Sequence, residues 1–411
     1  MNTPAQSAAT PNPSAPALSG VRILDLTAIV FGPYASQSLA DYGAEVIKVE
    51  PPNGESTRYT GPAYEKGLSA IFLGVNRNKK SLCLDLKQPT AIAALLALVV
   101  DQADVIMHSM RPQKMAALGL DAQTLLKRNP RLIYAGLYGF GEGGAYEGKP
   151  AYDDLIQGMS GVVDLMQRQS DQARYLPTIA ADKTCALVAV QGIMAALFQR
   201  ERTGLGQFIE IPMFETMTAY LLVEHFYGHH LADRQESAGY PRALTKWRQP
   251  YKSIDGLISV MPYTDRHWQL FFKAAGYDDH ANDPRFANIE ARTEHIAFVY
   301  ETLGNIIATQ TSAYWLGLCE TNQIPAAVVN RLEDLEHDPH LKSVGMFQDV
   351  DDEWGNTYRF VRNPVTMQSS KVAPALAPRL GQHTEMILRE AGLSDQAIAD
   401  MIKTGAAKQH K

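Results

Sequence analysis

Residues 18–57, LSGVRILDLTAIVFGPYASQSLADYGAEVIKVEPPNGEST, constrain the fold more than any other stretch of the chain. Residues 21–26 are a mostly apolar run of strand length, and Gly32-Pro33 reads as a turn. Residues 34–42 have helical spacing closed by Gly43, and residues 44–50 are rich in β-branched side chains. The whole is a compact parallel βαβ unit. A right-handed crossover leaves a crevice beyond the carboxyl ends of its strands, and residues 27–33 and 51–58 both fall there. A ligand is therefore expected at that edge.

The alternation continues. Residues 82–86 read as a strand, 90–102 as a helix, and 105–108 and 132–139 as further strands. A long core helix covers 182–202, is closed by Thr203-Gly204 and precedes a strand at 208–211. This pattern predicts an α/β fold with a doubly wound, Rossmann-like large domain. From about residue 240 the pattern changes. Asp255-Gly256 marks a hairpin within 251–261, followed by helices at 267–275, 296–307 and 314–321 and a strand at 327–329, which together predict a smaller α+β domain. A hairpin at 346–360 and helices at 385–391 and 395–403 return to the large domain. At 411 residues, two domains are the natural expectation. The reading is a disordered tail at 1–17, the large domain at 18–225, linker and small domain at 226–335, and the return at 336–411.

A formal charge of -6 supplies no basic field for nucleic acid, so small molecules or another subunit are the expected partners. Cys83, Cys185 and Cys319 are widely spaced and form no metal or disulfide pattern, which fits a reduced cytoplasm. The first seventeen residues lack the basic start and apolar stretch of a signal peptide. The longest apolar run, 91–100, is too short to span a bilayer, so no membrane segment and no membrane partner are expected.

VRILDL, the Gly-Pro pair, LADYGAEVIKVE and GESTR resemble the class III coenzyme A transferases, a family of formyl-CoA, carnitine-CoA and succinyl-CoA-dependent transferases and α-methylacyl-CoA racemases. NRNKKSLCLDLK at 76–87, DVIMHSMRP at 104–112, the glycine loop near Gly139, TGLGQ at 203–207 and LGQHT at 380–384 extend the resemblance over nearly the whole chain. It implies a coenzyme A thioester as substrate, a small carboxylic acid as second substrate, no permanently bound cofactor or metal, and an interlocked homodimer with the two chains threaded like links.

Asp182 stands where residues 177–181 meet the long helix, and the bland reading is a helix N-cap. The resemblance implies instead a nucleophilic aspartate at this helix start, twenty-one residues ahead of the Thr203-Gly204 that ends it. With a reference pKa near 3.9, a carboxylate is ionised at neutral pH and attacks a thioester unaided. Gly139 to Gly144 fits GxGxxG, but Pro150 intervenes before any helix, so the segment reads as an active-site loop rather than a dinucleotide fingerprint. Backbone N–H groups of Gly141, Gly143 and Gly144 would hold the developing oxyanion.

Arg58, Lys79, Lys80, Lys87 and Arg111 fall at strand ends or beside them, where cations suit coenzyme A phosphates. The likeness places Leu84, Leu86 and Lys87 around the adenine, Ala28, Ile29, Val30 and Phe31 along the pantetheine arm, and Ser109 and Met110 beside the thiol. Formyl-CoA transferases carry a histidine and a glutamine where this chain has Ala28 and Val30. Tyr152 and Asp153 complete the binding set. Asp153 and Asp154 read most simply as first-turn acids favourable to a helix dipole. In the racemases an acid matching Asp153 works with a histidine, and this chain has none between His108 and His225, which favours transfer over racemisation. A non-catalytic coenzyme A-binding module is the third reading. Arg242, Lys246 and Arg248 lie among Tyr240, Trp247 and Tyr251, a solvated hinge on the bland reading and a dicarboxylate contact on the other. The glycine-rich loop of formyl-CoA transferases is absent here. Cys185 reads as a core residue.

Overall fold

A computed structural model of the chain describes residues 15–233 and 235–410. Most of the expected tail lies outside the described residues. Its last residue, Ala17, donates its N–H to Ser370 Oγ at 2.8 Å.

Contacts divide the chain into two compact units. The larger comprises residues up to 156, 179–217 and 342 onward; the smaller comprises 157–178 and 218–341. The sequence reading gave 157–178 and 218–225 to the large domain. They group with the smaller unit because Gln169 Nε2 donates to the Arg248 carbonyl and Tyr240 N–H donates to His225 Nδ1.

The larger unit is built on a six-stranded parallel sheet in the order β3-β2-β1-β4-β5-β6. Its strands are β1 (Arg22–Leu26), β2 (Glu45–Glu50), β3 (Lys79–Cys83), β4 (Val105–His108), β5 (Ile133–Tyr138) and β6 (Gln207–Pro212). The order reverses between β1 and β4, which is the topological switch point where doubly wound sheets bind ligands. One face of the sheet presents Leu24, Leu26, Ile47, Val49 and Ile106 to α3 (Pro89–Asp101) and to the helices Thr384–Glu390 and Asp395–Thr404. On the other side α1 (Phe31–Asp41) packs along α8 (Ala180–Thr203). Among the described residues α8 is the one helix long and apolar enough to cross a membrane. Its buried Ala181, Cys185, Ala189, Ile193 and Ala196 belong to this unit's interior.

Three local readings change. Gly32-Pro33 is not a separate turn but part of the first turn of α1, where proline's missing N–H is harmless. A Cβ on Gly32 would meet Thr27 Cβ at 2.2 Å, so the close approach of helix and strand end requires glycine. β3 lies three residues earlier than expected, at Lys79–Cys83, because Lys79 and Lys80 enter the sheet by neutralisation: Lys79 reaches buried Asp25 at 3.2 Å and Lys80 pairs with Glu45. Short helices α2 (Ala70–Asn76), α4 (Pro112–Ala117), α5 (Ala122–Arg128), α6 (Asp153–Ser160), α7 (Val162–Ser170) and α9 (Met213–His225) complete the large-unit connections and its junctions; of these only α6 was legible in advance.

The smaller unit contains a three-stranded antiparallel sheet of β7 (Tyr251–Lys252), β8 (Leu257–Val260) and β9 (Ala326–Val328), with the expected hairpin about Asp255-Gly256. Trp268, Phe271, Phe272, Phe286 and Trp315 form its core. In the larger unit, β10 (Phe347–Asp351) and β11 (Thr357–Val361) form the second expected hairpin.

Candidate active site

Buried charges shape the crevice first. Asp25 in β1 and Lys48 in β2 are register neighbours, and both are fully buried. Against the desolvation that burial imposes, Lys79 and Lys48 hold the Asp25 carboxyl down to about 2. Lys48 Nζ donates to the Thr27 carbonyl at 3.1 Å and lies 3.4 Å from Glu55, whose Oε2 accepts the Ile29 N–H at 3.0 Å. Ile29 has φ +70°, a costly conformation for a β-branched residue, and this acceptor holds it there.

Beyond the carboxyl ends of β1, β4 and β5 lies a cavity of about 330 Å³. Ala28, Ile29 and Phe31 form one wall, Ser109 and Arg111 a second, and Tyr138, Phe140, Glu142, Glu147 and Lys149 a third, with Tyr152 and Asp182 completing it. Val30 is buried and Met110 packs against the core; neither is among the lining residues. Of the expected set, Ala28, Ile29, Phe31, Ser109, Arg111, Tyr152 and Asp182 come together at this cavity.

Asp182 is not the helix N-cap. Ile179 holds that position, and Asp182 is the third residue of α8. Its N–H donates to Asp153 Oδ1 at 3.0 Å, so Asp153, in the first turn of α6, satisfies an orphan donor of α8. The Asp182 side chain is 9% exposed. Burial first, and the Asp153 charge second, push its carboxyl up to about 7. Its carboxyl thus lies well above the reference value used in the sequence reading. Cys185, one turn on, donates to the Met213 carbonyl at 3.7 Å, and its thiol is pushed up to about 12 by burial and by Asp182, so it is an inert core group.

Several expected contacts are placed elsewhere. Arg58 is 1% exposed; its Nε and Nη2 reach both Glu50 oxygens at 2.7 and 2.5 Å, its Nη1 donates to the Gly67 and Pro378 carbonyls, and its guanidinium lies 3.9 Å over Phe72. A guanidinium so enclosed is structural and has no face left for a phosphate. Leu84 is a core residue bridged to Ala407, Leu86 packs against the same core, and Lys87 is exposed; none of the three lines the cavity. The glycine loop also differs from its expected role. Gly141 N–H donates to Glu215 Oε1 at 3.0 Å, Glu142 N–H to Glu210 Oε1 at 2.6 Å and Gly143 N–H to Glu147 Oε2 at 2.9 Å, while Gly144 N–H turns back to the Gly141 carbonyl. These donors already hold carboxylate or carbonyl oxygens, so they are not open to an oxyanion in this arrangement. A Cβ at Gly141 would stand 2.9 Å from Glu215 Oε1.

Tyr138, Glu142, Glu147 and Lys149 went unrecognised as cavity residues, although their position at or just after the end of a parallel strand was the available signal. His108 is fully buried, does not line the cavity, and is pushed down to about 4 by burial. No group of side chains arranged to hold a metal occurs among the described residues.

A six-stranded parallel sheet with a carboxylate in the crevice at its switch point is a doubly wound α/β arrangement, a class whose ligands bind at the strand ends. Residues 18–384 match the model of CoA-transferase family III, and the chain belongs to that family and is a CoA transferase. It is 32% identical to the succinate–glutarate CoA-transferase of Agrobacterium fabrum over 91% of this chain and 96% of that one. It is 31% identical to the succinyl-CoA:mesaconate CoA-transferase of Haloarcula hispanica, covering 92% and 97%. The crystal structure of Rv3272 from Mycobacterium tuberculosis superposes with a TM-score of 0.79 at 30% identity, covering 92% of this chain and all of that one. The family acts on acyl-CoA thioesters and carboxylic acids.

Proposed function

We propose that the enzyme moves coenzyme A between dicarboxylic acids, with succinyl-CoA as donor, through a covalent intermediate on Asp182. The observation that carries this reading is the Asp182 carboxyl itself, mostly buried yet lining the cavity at the strand ends. The dicarboxylate substrates rest on the activities named for the relatives, succinate, glutarate and mesaconate.

In the reading proposed, an Asp182 oxygen attacks the thioester carbon; the C–S bond breaks and a mixed anhydride forms with release of the thiolate. The thiolate then attacks the Asp182 carbonyl, the donor acid leaves as its carboxylate, and an aspartyl thioester remains. The acceptor carboxylate and the same thiolate repeat the two steps in reverse order, restoring Asp182. Bond energy passes from thioester to thioester, so the exchange needs no ATP. The raised proton affinity of Asp182 makes the ionised form a stronger nucleophile, at the cost of a smaller ionised fraction below about pH 7. Arg111 and Lys149 in the cavity wall offset charge that develops on the carbonyl oxygen and the departing sulfur.

The racemase reading, which pairs Asp153 with a histidine, is less well supported. Asp153 is engaged with the Asp182 backbone, and buried His108 is not among the cavity residues. A homodimer in the cytoplasm is part of the proposal; the exposed Leu187 and Phe198 of α8 support a covered face there.

Incubation with succinyl-CoA followed by hydroxylamine is expected to leave a hydroxamate on Asp182, located by peptide mass spectrometry, and Asp182→Asn is expected to retain fold and CoA binding with no transfer. Exchange of α-protons in deuterated water without an adduct would overturn the reading in favour of racemisation.

A further inference from the structure

The cavity at the strand ends is open on one side and closed on the other. Its walls follow the sheet in the order β1, β4, β5 and β6. Ala28 and Ile29 after β1 and Arg111 after β4 are exposed. Leu137 in β5, Phe140 just beyond it and Met213 after β6 are buried. A coenzyme A thioester is unequal in the same way. Its phosphate-bearing arm stays hydrated, because burying an unpaired charge is costly, while its acyl end carries the carbon that meets Asp182. The arm therefore leaves over β1 and β4, past the Arg111 guanidinium, and the acyl group points toward β5 and β6.

Tyr138, the last residue of β5, stands on that closed side. Alternate residues of a strand share a face, so Tyr134, Gly136 and Tyr138 form one row, and His108 at the end of β4 is the register partner of Gly136. The Tyr138 ring folds back over Gly136: a Cβ at 136 would stand 2.5 Å from both Cζ and Oη of the phenol. The ring takes the space that a side chain there would fill. Buried His108 meets it edge to face with centroids 5.7 Å apart and Nε2 3.5 Å from the phenol oxygen, and packs in the same manner on Tyr134 at 5.0 Å. A ring backed by glycine main chain and by two buried aromatic neighbours has no room to retreat, because a packed interior holds no spare volume.

We infer that Tyr138 is a specificity-determining residue: its ring is the fixed wall on the acyl side of the cavity and sets the length of acyl group that the enzyme accepts. This rests on the reading of the cavity as the acyl-CoA site, but not on a covalent intermediate at Asp182. The whole cavity measures about 330 Å³, so little space is left for the acyl group once the thiol end of the arm has entered. A mobile wall would admit a longer chain by turning aside, whereas a pinned one rejects it, since forcing extra methylenes against packed groups is costly. The selection acts through the ring, and the hydroxyl is not required for it.

Isothermal titration of the full chain with S-butyl-CoA and S-octyl-CoA, thioethers that bind without reacting, tests the wall. The wild-type protein is expected to bind the butyl compound more tightly by roughly tenfold or more. Tyr138→Ala should close most of that gap by tightening the octyl compound, while Tyr138→Phe, which keeps the ring, should preserve it. Should Tyr138→Ala fail to fold, Tyr138→Leu keeps an apolar side chain over Gly136 and is expected to shift the ratio in the same direction. Equal affinities in the wild type, an unchanged ratio on removal of the ring, or a ratio lost in Tyr138→Phe would each overturn the proposal. Hydroxylamine trapping on the wild-type protein runs in parallel: no adduct there removes the covalent reading and leaves the wall standing, whereas no binding of either thioether removes the acyl-CoA site and the wall with it.

Discussion

At the scale of single residues, Asp182 joins function to stability through its proton. Its folded-state value, about 7, lies above the ordinary 3.8, so folding is favoured when the group is protonated and penalised once it ionises. The penalty is absent below about pH 4, grows as pH rises through about 7, and reaches up to about 4 kcal/mol above that. Asp182→Asn is therefore expected to raise stability at pH 8 by a sizeable fraction of that amount while abolishing transfer; urea unfolding at pH 5 and 8 checks it, with the gain clearly larger at the higher pH. The same proton governs rate. The acid limb of kcat/KM is expected near pH 7, and Asp153→Asn, which removes the neighbouring charge, should move that limb to lower pH. Beside burial, Asp153 is the charge that raises Asp182, and the mutation removes it. Sequence reading found Asp182 by family likeness, against a bland reading as a helix N-cap, and took it for an ionised carboxylate. Neither its place at the third helical position nor its raised proton affinity can be read from its neighbours, since both arise from burial and from a second acid twenty-nine positions earlier.

At the scale of elements, two loops at the strand ends hold their shapes through carboxylates. Glu55 links buried Lys48 to the strained Ile29 backbone. Glu55→Ala should remove one of the three carboxylates that act on buried Lys48, leaving Asp25 and Glu50, at a cost on the order of 1–3 kcal/mol by chemical denaturation, and should raise KM for the CoA thioester as the first loop relaxes. The glycine loop is fastened by Glu210, Glu215 and Glu147. Gly141→Ala puts a methyl against Glu215 Oε1; the expected result is a displaced loop and a loss on the order of 1–3 kcal/mol in the transition-state term measured by kcat/KM. The strand and helix signals of residues 18–57 were legible because their periodicity is local. The glycine loop was legible as a loop, but its partners Glu210 and Glu215 lie about seventy residues away and carry no mark of the contact.

At the scale of the whole molecule, the last residues of the chain close an edge opened near its start. β3 ends the sheet, and its outer side is taken up by Ser81 N–H to His383 Nδ1, Cys83 N–H to Thr384 Oγ1 and Lys408 N–H to the Cys83 carbonyl. Ile387, Leu388, Ile398 and Met401 enter the same core as Leu82 and Leu95. Truncation after residue 380 is expected to expose this edge and that apolar face together, so the product should aggregate rather than melt cooperatively, as size-exclusion chromatography would report.

The alternation of residues along the chain determined the strands of the sheet, the long helix and the crevice at their ends, because hydrophobic period and turn chemistry act between near neighbours. Only the tertiary structure decided that Arg58 faces Glu50 rather than solvent, that β3 begins at a buried lysine, and that Asp182 holds its proton to about pH 7. Each of these depends on which distant charge shares a residue's desolvated surroundings, and that is fixed when the chain packs.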